Sequence, residues 1–238
     1  DKAIMRENIL EIMSNPTLRA RVRSQMEESV KDIVREDFPE KWDAGKMMEW
    51  ILSSMDDGSS DTRKLVGMTA MHAITRKFEF KRETEREEVL NPCVERAFPK
   101  MLIMLRGCLE RMMQSQQRED IVVEQMVGEY AKAIIKTFWS GTYLDIPKAM
   151  RQHAGEGGQP FEALAGWVQT FLQILDCKTP LKMISMQDTS KVVECDVTED
   201  ELEFKQWPFW KTKKWAQHVM GRLFTRLGNV KVAKEAVS

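Results

Sequence analysis

Tyrosine occurs only twice in these 238 residues, glycine twelve times and proline eight. With so few chain breakers and almost no alternating apolar pattern, a strand-rich fold is excluded. Excess charge of either sign is also missing. The formal net charge is -1, which gives no general attraction to phosphate backbones or anionic lipid. The four cysteines, Cys93, Cys108, Cys177 and Cys195, contain no C-x-x-C pair and have no histidine at ligand spacing. They read as reduced core or surface thiols, not as a disulfide framework or zinc site. No apolar run reaches the roughly 18 residues that a membrane-spanning helix needs.

Catalytic patterns are equally scarce. The "GEGG" of residues 155–158 lacks the lysine and hydroxyl of a phosphate loop, and no strand precedes it, so it reads as a flexible connection. His72, His153 and His218 are far apart in sequence. The first and last sit in helical pattern beside apolar residues, where a structural histidine is the simpler reading. The acidic "EREE" at 85–88 fits a solvated first helical turn, where carboxylates favour the dipole. No Ser, His and Asp arrangement stands out from chance. The sequence therefore predicts no enzyme, no cofactor and no metal.

What is present is helix. Charged residues of both signs make up 31% of the chain, and methionine, an adaptable core filler, occurs 17 times. Ile4, Ile9, Ile12 and Met13 mark a first segment that breaks at Asn15-Pro16. Leu18, Val22, Met26, Val30 and Ile33 then form one helical stripe over about 16–36. "DFPEKW" turns the chain, because the residue before Pro39 is biased away from helix. A helix of about 40–55 places Trp42, Met47, Trp50 and Ile51 inward. Ser60 or Asp61 caps the next, in which Leu65, Met68, Ala73 and Ile74 are the expected core. "FPKMLIMLRGCLERMM" is apolar nearly all round, and its partner over about 119–139 carries Val127, Tyr130, Ile134 and Phe138. A helix with Phe161, Leu164, Val168, Phe171, Leu172 and Leu175 follows.

The pattern predicts an all-α fold: a right-handed α-solenoid of HEAT-type antiparallel helix pairs, about four repeats. The expected pairs are 1–36, 39–78, 85–139 and 158–228, with an acidic loop at 187–205, in one solenoid fragment. The second helices of the first two pairs start about 45 residues apart, which fits units of ~40–47 residues better than 34-residue ones. The opening "DKAIMRENIL" has no initiator Met and reads as the middle of a helical domain, so an excised piece of a longer protein is expected.

The most unusual stretch is "WPFWKTKKWAQHVMGRLFTRLG" at 207–228, with three of the seven tryptophans beside three lysines. Aromatic rings beside basic groups can stack nucleic-acid bases. The near-neutral charge argues against that use. So does the spacing, which puts Trp215 in a buried row with Val219 and Leu223, and Ala216, Met220, Phe224 and Leu227 in the next. The neighbouring "ECDVTEDELEF" reads either as a solvated loop or as a surface for basic partners. Glu194, Asp196, Glu199, Asp200 and Glu201 are its candidate contacts. On helix 16–36, Arg23, Glu27 and Lys31 are either solvated or part of a binding face.

Four motifs occur together and in order: "RENILEIM" at 6–13, "DFPEKW" at 37–42, "KFEFKRETERE" at 77–87 and "WPFWKTKKWAQHVMGRLFTRLGN" at 207–229. They resemble the amino-terminal half of the importin-β (karyopherin-β) nuclear transport receptors of the importin-seven and importin-eight branch. That resemblance implies a HEAT-repeat receptor without catalysis or cofactor, shuttling between cytoplasm and nucleus. The implied partners are cargo proteins, often basic, Ran in its GTP form in the full-length protein, and Phe-Gly nucleoporins. Neither direct nucleic-acid binding nor membrane insertion is implied. The alternative expectation is a HEAT scaffold subunit of a protein complex with no transport role.

Overall fold

A computed structural model describes residues 2–56, 58–118, 121–151, 162–177 and 209–228. These residues are all-α, the class expected for a HEAT-type α-solenoid, and no strand occurs among them. The helices are α1 (Lys2–Met13), α2 (Ala20–Asp37), α3 (Ala44–Ser54), α4 (Asp61–Phe78), α5 (Glu83–Glu85), α6 (Asn91–Arg118), α7 (Ile121–Gly141), α8 (Lys148–Arg151), α9 (Glu162–Asp176) and α10 (Trp210–Leu227). A π-helical turn, Arg86–Leu90, leads into α6. The chain forms two compact units, residues 1–104 with 136–164, and residues 105–135 with 165–238.

In the first unit the breaks fall where local chemistry demands them. Asn15 Oδ1 accepts from the backbone N–H of Thr17, and α2 begins at Ala20, four residues after Pro16. At the other end of α2, Phe38 is extended and its peptide bond to Pro39 is cis. Asp43 and Ser60 cap α3 and α4, their side chains accepting from the backbone N–H of Lys46 and Arg63 at 2.8 and 3.2 Å.

Helix α4 is the hub of this unit and packs on α1, α2, α3 and the π-helical turn. Its buried residues, among them Val66, Met68, Met71, Ile74, Thr75 and Phe78, run around most of its circumference. A single amphipathic stripe is therefore the wrong description of it. Leu65, expected in the core, is only half-buried. Gly67 lets α3 and α4 touch: a Cβ there would stand 1.8 Å from Ser54 Oγ. Gly141 does the same beneath Phe98, whose Cζ would lie 2.7 Å from an added Cβ.

Helix α2 turns Val30, Val34, Asp37 and Phe38 inward, whereas Val22, from the expected stripe, is exposed. The core row is thus rotated toward Val34, which the stripe omitted. In α1, Ile9 and Met13 are buried but Ile4 and Ile12 are exposed. Phe38 and Phe78 meet edge to face with ring centroids 6.3 Å apart, fixing the "DFPEKW" turn against the end of α4.

The second unit is built on Trp167 and Phe171 of α9, with ring centroids 5.8 Å apart. Leu105, Met112, Val127, Ile134, Phe209 and Val219 complete its buried interior. Thr212 Oγ1 donates to the Gly128 carbonyl at 3.0 Å, tying α10 to α7. Arg106 Nε donates to Thr170 Oγ1 at 3.2 Å, tying α6 to α9. In α10, Ala216, Val219 and Leu223 are buried, Trp215 is half-buried and Phe224 is 77% exposed. Trp215 therefore belongs to the flank of α10. Among the described tryptophans the more deeply covered are Trp167, 2% exposed, and Trp42, 8% exposed.

Candidate interaction surfaces

Arg23, Glu27 and Lys31 lie in one row of α2, four residues apart. Arg23 is committed to the backbone. Its guanidinium donates to the carbonyls of Met13, Asn15 and Leu18 at 3.1, 2.9 and 3.3 Å, closing the α1–α2 connection. Glu27 is half-buried, and Lys31 forms an exposed pair with Glu28 at 2.6 Å. Glu194, Asp196, Glu199, Asp200 and Glu201 lie outside the described residues, as do Trp207 and Cys195.

His72 is half-buried on α4. Burial, then the positive charges of Lys136, Lys31 and Arg76, push its pKa down to about 4. These three cations come from α7, α2 and α4, and two of them, Lys31 and Arg76, are themselves paired with Glu28 and Glu79. The folded chain refuses a proton here that the unfolded chain binds below about 6.5. The His72 contribution to stability should therefore fall as pH drops from about 6.5 to about 4 and stay constant below that, by on the order of 3 kcal/mol in all. Urea unfolding across that range should show the slope, and His72→Gln should flatten it. An unchanged slope in the variant would mean the proton goes elsewhere.

Arg86 is the residue that sequence reasoning misplaced. In "EREE" it looked like part of a solvated turn, yet it is 5% exposed. Its guanidinium donates to the carbonyls of Glu79, Gly141 and Asp145 at 3.4, 3.2 and 3.4 Å. It thereby satisfies the chain just past α4 and the carboxyl end of α7 together. Burial lowers its pKa, opposed by the charges of Asp145 and Glu79. Glu79 is itself buried and pairs with Arg76. No short-range pattern in the sequence signals this, because its carbonyl partners Gly141 and Asp145 lie more than fifty residues away.

A second polar knot joins α1, α3 and α4. Glu11 accepts from Trp50 Nε1 and Arg63 Nη1, each at 2.7 Å, while Arg63 stacks 4.7 Å over the Trp50 ring. The Arg63 hydrogen bond, with help from Trp50, holds Glu11 below the usual carboxylate range against the opposing effect of burial. At the base of α2, burial alone would raise the pKa of Asp37. Bonds from Arg6 at 2.7 Å and Lys41 at 3.4 Å outweigh that effect and hold it low.

Beyond α4, Phe80 packs edge-on against Tyr143 at 4.9 Å, and Tyr143 against Trp139 at 5.8 Å. Phe80 and Leu144 remain largely exposed, next to a cleft of about 290 Å³ lined by Lys81, Arg86, Asn91 and Arg151. In the other unit, Lys213 Nζ donates at 2.6 Å to the Cys177 carbonyl, at the negative end of the α9 dipole. Cys93 is buried, and burial pushes its thiol up to about 11, so it is not a nucleophile. Among the described residues no cluster of three His, Cys, Asp or Glu side chains could hold a metal. No described helix is long and apolar enough to cross a membrane.

These features define a class before any relative is considered: helices packed on one another, with small grooves between them. No protein-family model matches the chain. Along almost its whole length it is similar to curated importins. It is 28% identical over 98% of its residues to an importin β-like SAD2 homolog of Arabidopsis thaliana. To importin-8 of Mus musculus it is 25% identical over 96%, and to importin-8 of Homo sapiens 22% identical over 96%. The resemblance to the importin-seven and importin-eight branch, first carried by four motifs, thus extends through residues 88–206 as well. The chain spans about a fifth of the length of these relatives.

Proposed function

We propose that this chain is a protein-binding segment of a nuclear transport receptor, one that carries cargo through nuclear pores under Ran-GTP control and shuttles between cytoplasm and nucleus. The observation that carries the reading is the near-complete alignment with importin-8 and the importin β-like SAD2 homolog. The all-α pairing of helices supports it, since stacked pairs offer long faces for protein contact. The part played by this segment is recognition: no catalytic step and no cofactor enters the reading.

Within that role, the acidic residues Glu194, Asp196, Glu199, Asp200 and Glu201 bind basic cargo by charge complementarity. Exposed Phe80 and Leu144 are the chain's own apolar positions for Phe-Gly contacts. Glu27 and Lys31 form part of a contact face on α2, whereas Arg23 supports that face through its carbonyl bonds. Replacing the five acidic residues with their amides should weaken binding of a histone or ribosomal protein about tenfold or more and leave the melting temperature nearly unchanged. Calorimetric titration gives the affinity. Unaltered affinity in the variant would remove the acidic stretch from the recognition surface. A HEAT scaffold with no transport role remains the rival, and it predicts no discrimination between the nucleotide states of Ran.

A further inference from the structure

Between α1 and α3 lies a groove of about 360 Å³ that the transport reading does not use. Its floor is apolar: Leu10 and Met47 are buried, and Trp42 is 8% exposed. Its rim is cationic, formed by Arg6, Lys41 and Lys46. One carboxylate lines the groove, Asp43, and its Oδ1 is occupied by the backbone N–H of Lys46 at the start of α3. Asp37 offsets Arg6 and, more distantly, Lys41. The Lys46 ammonium is exposed and has no carboxylate or carbonyl partner among the described residues. A small apolar slot with unbalanced positive charge at its mouth is complementary to an apolar side chain beside carboxylates.

We propose that the α1–α3 groove is a docking site for an acidic peptide segment that presents one apolar side chain. The side chain seats over Trp42, Met47 and Leu10, and flanking carboxylates lie between Lys41 and Lys46. This occupant is opposite in charge to the basic cargo assigned to residues 194–201. The inference does not depend on the transport reading and stands or falls by itself. Trp50, at the edge of the groove, is already held by Glu11 and Arg63, so its wall is ordered before anything binds.

The test is fluorescence anisotropy with the whole 238-residue chain and three labelled peptides: leucine flanked by glutamates, leucine flanked by lysines, and a neutral Phe-Gly repeat. The glutamate peptide should bind most tightly, and added salt should weaken it. Lys46→Glu should reduce its affinity about tenfold, and Lys41→Glu with Lys46→Glu should reduce it further. Circular-dichroism melting of Lys46→Glu should match the parent, because that ammonium makes no hydrogen bond or ion pair among the described residues. Equal or tighter binding of the lysine or Phe-Gly peptide would overturn the proposal, as would an undiminished affinity in Lys46→Glu or no binding at all.

Discussion

Arg86→Leu should destabilise the chain by about 3 kcal/mol, the cost of leaving several buried carbonyls without a charged donor. Three carbonyl oxygens, of Glu79, Gly141 and Asp145, share this one guanidinium. Leucine fills much of the volume but donates nothing, so the carbonyls lose both water and partner. The buried Glu79 carboxylate also loses a nearby positive charge, keeping only its pair with Arg76. A chain of this size loses roughly 2–4 °C of melting temperature per kcal/mol, so a fall of roughly 6–12 °C is expected. Arg86→Lys should recover little, because one ammonium cannot reproduce a planar fork aimed at separate carbonyls. Differential scanning calorimetry of both variants measures this. A shift of less than 2 °C in Arg86→Leu would mean that those carbonyls find other donors.

Trp167→Ala should cost about 3–5 kcal/mol, the usual loss for a buried aromatic whose site cannot collapse. Its ring is 2% exposed and leans on Phe171, which is itself fully buried. Trp215→Ala is the informative partner experiment. Trp215 is half-buried on the flank of α10 and contacts the ring of His218 at 6.0 Å, while His218 is exposed. Its truncation should cost no more than about 1–2 kcal/mol, in keeping with partial burial. Guanidinium unfolding of the two variants ranks them. Equal losses, or a larger one for Trp215, would show that Trp215 is buried as deeply as Val219 and Leu223 of the same row.

That reversal shows what local pattern carries and what it does not. The breaks at Asn15-Pro16 and Phe38-Pro39 and the cap at Ser60 depend on neighbouring residues only, and each is where the sequence placed it. Helical periodicity likewise depends on near neighbours, so the all-α class was legible. Which of two apolar rows faces the interior is a different question. A helix such as α4 has neighbours on several sides, and α10 carries two rows of similar apolar content. The spacing rightly placed Val219 and Leu223 in the covered row, but periodicity alone could not show that Trp215, at the start of that row, is only half-covered. Arg86 was illegible for the same reason, since its carbonyl partners on the far side of α6 and α7 are set by packing.

The interaction residues divide along the same line. Charge composition picked out the acidic run at 194–201 and the α2 row, because composition is local. It could not show that Arg23 is spent on three carbonyls of the preceding turn. Nor could it show that Arg6, Lys41 and Lys46 gather around an apolar floor. Those residues come from α1, the turn after α2 and the first turn of α3. Only the packing of α1 and α3 on α4 brings them to one groove.

The central claim is that these residues serve a Ran-controlled transport receptor. The most direct measurement is surface plasmon resonance between the natural full-length protein carrying residues 1–238 and immobilised Ran, loaded in parallel with GTP and GDP. The account predicts binding to the GTP form at least about a hundredfold tighter, the upper range of ordinary allosteric coupling, with basic cargo released as Ran-GTP is added. Equal affinity for the two nucleotide forms, or no binding to either, would contradict it.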